Sequence, residues 1–330
     1  MSITVRSFAK INLGLKIGPA RADGFHELRT IYQTLALHDR IQVEVQSGSG
    51  IEIRCNDPRV PLGESNTCYR VAERVLKTVR TQAKVVIDID KRLPVQGGMG
   101  ASSSNAAATM LGLERALGKA VSAEDKMRIA AEVGSDVPLF LIGGTVLGVG
   151  RGEEVYPLAD LPSTHLVVVT PEIGVSTPRA FAQWDGLVAG ETELTTAKAA
   201  GTINEFVQGL FARLSEGFFP QTESASGVPA RGGDRAGTLL LDLVRAGIEN
   251  DFERVVFPEY PELREVKSAL ERAGARYASL SGSGSTVYGL YGSSEDAQAA
   301  AARLGTSGYA AVATTTLTRD EYWKQIAAGN

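Results

Sequence analysis

The first strand-like segment of the chain alternates between apolar and polar positions. Its apolar positions recur at every second residue: Ala9, Ile11, Leu13, Leu15 and Ile17. A period of two predicts a β-strand with one buried face, so Lys10 and Asn12, which fall between them, are expected on a solvated face. Asp23-Gly24 then breaks the alternation, and this pair favours a hairpin turn into a return strand over 28–37.

The rest of the chain mixes strands and helices without the regular repeat of a doubly wound sheet. Short apolar runs predict strands over 41–45, 51–54, 85–90, 145–150, 153–158, 166–170 and 310–317. Helical spacing predicts helices over 66–79, 107–117, 123–133, 262–273 and 295–304. This order favours an α+β fold. We expect one domain over 1–160 and a second over 161–330, with a flexible, insertion-like stretch near 186–237 where periodicity is poor.

Composition excludes several classes of protein. The 330 residues are 43% hydrophobic, which is ample for a large core, and the net charge of −4 argues against a nucleic-acid partner. Cys55 and Cys68 form no metal or redox spacing and suit a reducing compartment. Neither a signal-peptide pattern nor an apolar run long enough for a membrane span is present in the sequence. We therefore expect a cytoplasmic protein without a membrane partner.

The segment with the most chemical information is 94–108, which reads PVQGGMGASSSNAAA. Glycines allow a backbone to approach a ligand closely, and a glycine-rich loop that leads into a helix presents free N–H groups to a phosphate. The segment matches neither a Walker A loop nor the dinucleotide fingerprint. A serine-capped turn is the simpler alternative, but three residues would suffice for a turn, so phosphate binding is favoured.

Other candidate residues have an ordinary structural interpretation beside a functional one. Lys10 is expected on a solvated strand face, or beside a phosphate as a point charge. Asp136 in GSDVPLF is either an N-cap before a proline or a general base. The SGSGST run over 281–286 is either a hairpin turn or a second phosphate loop. Phe25 and His26 are either surface residues or a site that stacks on a planar base. No metal ligand is identified from the pattern.

Six segments occur in an order that resembles the GHMP kinases. They are SFAKINLGLKI (7–17), RADGFHELRTIYQ (21–33), DKRLPVQGGMGASSSNAA (90–107), GSDVPLF (134–140), NDFE (250–253) and SLSGSGSTVYGLY (279–291). The resemblance spans about 1–180 and 250–317. It implies a two-domain α+β fold, with a ribosomal protein S5 domain 2-like N-terminal domain and a ferredoxin-like C-terminal domain. It also implies a small-molecule kinase, monomeric or weakly dimeric, that uses ATP and Mg²⁺.

Within that superfamily, the set is similar to the branch that phosphorylates the 2-hydroxyl of a cytidine diphosphate-linked methylerythritol in non-mevalonate isoprenoid synthesis. The resemblance makes Asp136 the base and Lys10 its partner. It places ATP phosphates along Val95, Gln96, Gly97, Gly98, Met99, Gly100, Ala101, Ser102, Ser103, Ser104 and Asn105. It places the ATP nucleoside by Asn66, Lys91 and Leu93. It places the substrate by Asn12, Phe25, His26, Phe181, Gly282 and Ser283.

The chain departs from the family pattern at two places. Ala101 and Ser102 stand where the family often has glycine, so this part of the loop must avoid positive φ or bear strain. Phe25 stands where the family often has tyrosine, which keeps stacking but loses a hydroxyl. The Mg²⁺ ligand stays open, with the hydroxyl of Ser103 or Ser104 as a candidate. A kinase for another small alcohol, such as homoserine or mevalonate, and a non-catalytic nucleotide sensor remain as alternatives.

Overall fold

The computed structural model describes residues 2–95, 97–189 and 249–326, which form two β-sheets with helices packed against them. The strands are β1 (Ser2–Ala20), β2 (His26–Gln46), β3 (Gly50–Cys55), β4 (Lys84–Asp90), β5 (Thr145–Val149), β6 (Glu154–Pro157), β7 (His165–Val169), β8 (Tyr277–Leu280), β9 (Val287–Tyr291) and β10 (Ala311–Thr315). The helices are α1 (Thr67–Thr78), α2 (Ala101–Leu117), α3 (Ala123–Val133), α4 (Thr177–Ala189), α5 (Glu253–Glu259), α6 (Pro261–Arg272), α7 (Ser294–Thr306) and α8 (Arg319–Ile326).

The first sheet has the order β3-β4-β2-β5-β6, and β1 pairs with β2 outside that path. The predicted hairpin at Asp23-Gly24 joins β1 to β2. The two return strands predicted over 28–37 and 41–45 are one continuous strand, because the residues between them stay paired with β1, as in Phe8 opposite His38. All pairs except β3 with β4 are antiparallel, in agreement with the α+β prediction.

Strand β1 is buried on both faces, which the sequence pattern did not predict. Its pairing with β2 shifts register between Phe8 and Lys10 and again between Asn12 and Gly14. Irregularities of this kind bend a strand and redirect its side chains. Lys10 and Asn12 are 3% and 2% exposed, so the expected solvated face is instead covered. The prediction was wrong on this point because alternation alone does not show what packs against the polar side.

The second sheet has the order β10-β7-β9-β8 and is antiparallel throughout. Helices α4 to α6 lie between β7 and β8 in the chain, and α7 lies between β9 and β10. This βαββαβ order is that of a ferredoxin-like unit and confirms the expected C-terminal fold. The run over 281–286 is the connection between β8 and β9.

A buried cluster joins the two sheets. It contains Ile11 of β1 and Met99 of the glycine-rich loop, together with Val168 of β7 and Tyr288 of β9. Helix α8 returns to the core of the first sheet through Tyr322, although it follows the second sheet in the chain. The proposed division between residues 160 and 161 stays a prediction.

Two predicted helix starts agree with the capping contacts, whereas α2 begins at Ala101 and not at the predicted residue 107. Asn66 caps α1 by accepting from the Cys68 N–H, and Ser122 caps α3 by accepting from the Asp125 N–H. The insertion-like stretch predicted near 186–237 begins inside α4 and lies outside the described residues from 190 onward. Gln96 also lies outside them. Over the described ranges, no helix combines the length and apolar character that a membrane span needs.

Candidate active site

Lys10 lies at the point where the two sheets and the glycine-rich loop meet. Its Nζ donates to Asn12 Oδ1 at 2.7 Å and to the Gly98 carbonyl at 2.8 Å, and it lies 3.5 Å from Asp136 Oδ2. A Cβ built on Gly282 would lie 3.6 Å from the same nitrogen. Asn12 of the same strand and residues from three distant segments therefore surround one buried ammonium group.

Burial lowers the pKa of Lys10, and the negative charge of Asp136 opposes this effect. Asn12 is held in turn because its Nδ2 donates to Thr30 Oγ1 at 2.7 Å. Tyr288 Oη donates to the Asn12 carbonyl at 3.0 Å. The Lys10–Asn12 pair is thus fixed from both sheets and cannot be a solvated strand surface.

Asp136 does not cap the short 3-10 turn over Pro138–Leu141. The N-cap position of that turn is Val137, and no side chain bonds to the turn there. The Asp136 carboxylate instead accepts from Tyr32 Oη at 2.9 Å through Oδ1, and Oδ2 faces Lys10. Its side chain is 30% exposed, so it is accessible to a ligand while two donors hold it. This geometry favours the general-base interpretation over the capping one.

The glycine-rich loop is shaped by close approach of the second Gly/Ser run. Gly98 has φ +73°, and a Cβ there would overlap the Ser281 carbonyl and lie 2.9 Å from the Gly284 carbonyl. Gly100 has φ +68° and is the N-cap of α2, with Lys10 and Phe140 against it. The first-turn N–H groups of α2 have no partners within the helix, and its dipole is positive at this end. The loop and helix start thus form a cradle that suits phosphate.

The side chains of the loop are divided between the cradle and the core. Met99 and Ser104 are buried, and Asn105 Oδ1 accepts from Ser7 Oγ at 2.5 Å. These three side chains therefore anchor the loop and the start of α2 to the protein interior. Ala101 and Ser102 belong to α2 and have helical backbone. The two departures from glycine therefore fall where positive φ is not required, which answers the question of strain raised by the sequence.

The run over 281–286 is both a hairpin turn and a partner of the first loop. Ser281 Oγ donates to the Gly98 carbonyl at 3.0 Å, and the Thr286 N–H donates to the Gly97 carbonyl at 3.2 Å. Asn250 Nδ2 donates to the carbonyls of Leu280 and Gly282, each at 2.8 Å. The hairpin-turn interpretation is confirmed, and this turn brings its backbone against the first loop. A second phosphate loop at this run stays a prediction.

The residues expected near the ATP nucleoside are held by Asp39, which is fully buried. Asp39 accepts from Lys91 Nζ at 2.8 Å and from the N–H groups of Arg92 and Leu93, each at 2.7 Å. Lys91 also donates to the Leu93 carbonyl at 2.6 Å. The Lys91 ammonium is therefore engaged within the protein. Asn66, whose amide group donates to the Pro61 carbonyl, is likewise engaged in the start of α1.

Two of the aromatic residues expected around cytosine, His26 and Phe181, are in contact at the start of β2. His26 stacks on Phe181 of α4, with ring centroids 4.9 Å apart and 9° between planes. His26 Nε2 lies 2.7 Å from Asp185 Oδ1, so α4 is bonded to the hairpin. Phe25 is half exposed, and the Arg151 guanidinium lies 4.9 Å from its ring centroid. A base cannot enter between His26 and Phe181 in this arrangement, which leaves Phe25 and the outer faces of the pair.

Comparisons with known proteins show the family of the chain. A model described as GHMP kinases N terminal domain matches residues 66–144, and one described as GHMP kinases C terminal matches 236–310. A 4-diphosphocytidyl-2-C-methyl-D-erythritol kinase of Solibacter usitatus is 36% identical over 288 residues, which are 87% of this chain and 80% of the relative. The chain belongs to the 4-diphosphocytidyl-2-C-methyl-D-erythritol kinase family. The Moorella thermoacetica protein of that name is 35% identical over 92% of this chain and 94% of its own.

Solved structures place this family member within the wider GHMP fold. A crystal structure of 4-(cytidine 5'-diphospho)-2C-methyl-D-erythritol kinase is similar with a TM-score of 0.69 and 29% identity, over 95% of this chain and 99% of its own. Homoserine kinase from Cytophaga hutchinsonii is similar with a TM-score of 0.68, but at 20% identity this likeness shows the fold alone.

Several side chains of this kinase that hold the site were not found by sequence reasoning. Tyr32 contacts Asp136, Asp39 holds 91–93, Asn250 holds the second loop and Asp185 contacts His26. Asn250 lies within a segment that carried the resemblance, and so does Tyr32. Neither residue type at those positions has a spacing that identifies its partner, because each partner is distant in the chain.

Proposed function

We propose that the chain transfers the γ-phosphoryl group of ATP to the 2-hydroxyl of 4-diphosphocytidyl-2-C-methyl-D-erythritol, giving the 2-phosphate and ADP. This is a phosphotransfer to an alcohol, within the non-mevalonate route to isoprenoid precursors. The observation that carries the proposal is the Lys10–Asp136 pair beside the phosphate cradle of Gly98 and Gly100. The family membership supplies the substrate.

In the proposed step, Asp136 accepts the proton of the 2-hydroxyl as that oxygen forms a bond to the γ-phosphorus. The bond between this phosphorus and the oxygen bridging to the β-phosphate breaks, and ADP leaves with the bonding electrons. Lys10 stays protonated and neutralises charge around the reacting oxygens, while Asn12 orients the substrate polyol. Phosphoryl transfer needs positioning and charge neutralisation more than covalent catalysis, and these residues supply both.

The cradle fits the triphosphate of ATP. Backbone N–H groups at the start of α2 suit a phosphate, and the close packing of the Ser281 and Gly284 carbonyls against Gly98 holds the loop that leads into this helix start. Mg²⁺, when bound, would neutralise charge on the phosphate oxygens. Within the described ranges no group of three or more His, Cys, Asp or Glu side chains could hold a metal ion. The Ser103 hydroxyl is the candidate protein ligand, since Ser104 Oγ is engaged by Ser7.

The substrate end of the proposal rests on the aromatic group near the hairpin. Cytosine would stack on the half-exposed Phe25, next in the chain to the stacked pair of His26 and Phe181. Gly282 and Ser283 would border the substrate phosphates. Ser283 Oγ lies 2.7 Å from Thr177 Oγ1 at the start of α4, so the phosphate border and the aromatic group are linked through one helix.

Asp136→Asn tests the proposed base. The substitution keeps the size of the side chain and removes its ability to take a proton, so we expect kcat to fall by a factor of about 10² to 10⁴. Binding of ATP, measured by titration calorimetry, should be unchanged. A wild-type rate in this variant would show that Asp136 is not the base.

The substrate is tested by ADP release with Mg-ATP and each of three alcohols: 4-diphosphocytidyl-2-C-methyl-D-erythritol, homoserine and mevalonate. We expect turnover with the cytidine compound alone. Turnover with another alcohol would keep the cradle but remove the roles given to Phe25, His26 and Phe181. ATP binding without turnover of any alcohol would favour the sensor alternative.

A further inference from the structure

Among the described residues, the nearest hydrogen-bond donor to Asp136 is Tyr32 and not Lys10. Tyr32 Oη lies 2.9 Å from Oδ1, whereas Lys10 Nζ lies 3.5 Å from Oδ2. The shorter bonds of Lys10 go to Asn12 and to the Gly98 carbonyl, at 2.7 and 2.8 Å. The ammonium therefore connects the phosphate loop to β1, and the firmest contact of the carboxylate comes from the adjacent strand, β2.

The position of the Tyr32 hydroxyl is fixed by its surroundings. Tyr32 pairs with Asn12 of β1 and Val146 of β5 and is 2% exposed. A Cβ on Gly148 would lie 2.5 Å from the Tyr32 ring, and a Cβ on Gly152 would lie 2.5 Å from Oη. Two glycines thus provide the space that the ring and its hydroxyl occupy. The hydroxyl has no room to turn away from Asp136 toward the β5–β6 connection.

The proton of this phenol is retained. Burial raises the pKa of Tyr32 well above its ordinary value of 10, and the negative charge of Asp136 raises it further. Lys10 and Glu153 are the other charged groups near the ring and carboxylate. A buried phenol that keeps its proton can act toward the carboxylate only as a donor. Hydrogen bonds to a charged acceptor are the stronger class, so this contact holds the carboxylate firmly.

We propose that Tyr32 is a positioning residue that holds Asp136 in the orientation from which it accepts the substrate proton. This inference rests on the proposed function, in which Asp136 is the base. Tyr32 occupies one lone-pair direction of Oδ1 and leaves the others to the substrate hydroxyl. During the step, the proton moves from that hydroxyl to Asp136, and Tyr32 keeps its own proton throughout. Without this contact, the partly exposed carboxylate of Asp136 is free to rotate about its side-chain torsions toward solvent.

Tyr32→Phe tests the inference because phenylalanine fills the same space between Gly148 and Gly152. We expect kcat to fall about tenfold, equivalent to ~1.4 kcal/mol of transition-state stabilisation, with KM for both substrates within about twofold of wild type. Tyr322→Phe is the matched control, since it also removes a buried phenol, whose bond is to the Phe140 carbonyl at 2.6 Å. That variant should lose stability while keeping kcat.

A second comparison separates positioning from general support of the fold. Because Tyr32 acts through Asp136, adding Tyr32→Phe to Asp136→Asn should change the residual single-turnover rate by less than about twofold. Equal slowing in both backgrounds would overturn the inference, and so would an unchanged kcat in Tyr32→Phe beside an inactive Asp136→Asn. A wild-type rate in Asp136→Asn alone would instead remove the proposed function, and the inference with it.

Discussion

Gly98→Ala is the substitution that most directly tests how the two Gly/Ser loops form the phosphate cradle. The residue has φ +73°, and its missing side chain is where the carbonyls of Ser281 and Gly284 approach. A Cβ would lie 2.9 Å from the Gly284 oxygen, whereas ordinary contact begins at 3.4 Å. The Gly284 oxygen would have to recede by 0.5 Å, the difference between these distances, and Ser281, which overlaps, by more.

The cost of this separation follows from the bonds between the loops. They are Ser281 Oγ to the Gly98 carbonyl and the Thr286 N–H to the Gly97 carbonyl. Displacement of Gly98 would also break its bond from Lys10 Nζ of β1. Two neutral bonds at about 0.5–1.5 kcal/mol and one charged bond at about 1.5–3 kcal/mol give roughly 2.5–6 kcal/mol if all are lost. The left-handed backbone adds about 1–2 kcal/mol for an alanine.

Gly118→Ala provides the control because Gly118 ends α2 with φ +60° and nothing lies within 4 Å of a Cβ there. Only the backbone cost of about 1–2 kcal/mol applies to it. Urea denaturation should therefore show a larger loss of unfolding free energy for Gly98→Ala than for Gly118→Ala. KM for ATP should rise in Gly98→Ala alone. Equal stability and equal KM in the two variants would refute the explanation that close contact between the two Gly/Ser loops at Gly98 forms the cradle.

Two further predictions concern buried groups. Lys91→Met leaves the fully buried Asp39 carboxylate without its cation and should lower the unfolding free energy by about 3–5 kcal/mol in urea denaturation. Arg92→Met, which breaks an exposed pair with Asp90, should cost less than about 1 kcal/mol, and a similar loss in both variants would contradict the reasoning. Burial raises the pKa of the Cys68 thiol to about 12 from an ordinary value of 9. As the pH rises, the Cys68 thiol loses its proton in the unfolded chain before it does so in the folded protein. The thiol's contribution to the free energy of unfolding should therefore be fully present below pH 9, and this free energy should fall between pH 9 and 12. Cys68→Ala should flatten that fall, as followed by thermal unfolding across this range.

The elements that sequence reasoning located correctly are those whose signal is local. The β1 alternation, the Asp23-Gly24 hairpin and the helix starts at Asn66 and Ser122 each depend on residues within a few positions of one another. The glycine-rich loop before α2 is local in the same sense. Its position at a helix start could be predicted because free N–H groups and glycine flexibility are properties of the segment itself.

The pairing of Lys10 with Asp136 came from the resemblance, and the residue pattern alone favoured the ordinary interpretation of each. A lysine on an alternating strand predicts a solvated face, and an aspartate before a proline predicts a cap. Both predictions failed because the covering of β1 by the second sheet and the 3-10 turn at Pro138 depend on packing of distant segments. Burial of a polar side chain is decided by what lies opposite it.

The sequence by itself thus determined the local elements, the glycine-rich loop before α2 and, through six ordered segments, the family. Tertiary structure alone decided that Tyr32, and not Lys10, makes the shorter contact to Asp136. It also decided that Asp39 engages Lys91 and that Asn250 holds the second loop. The physical reason is the range of the forces involved. Strand alternation and helix capping act between near neighbours in the chain, whereas hydrogen bonds in the site join residues that only the packed sheets bring within 3 Å.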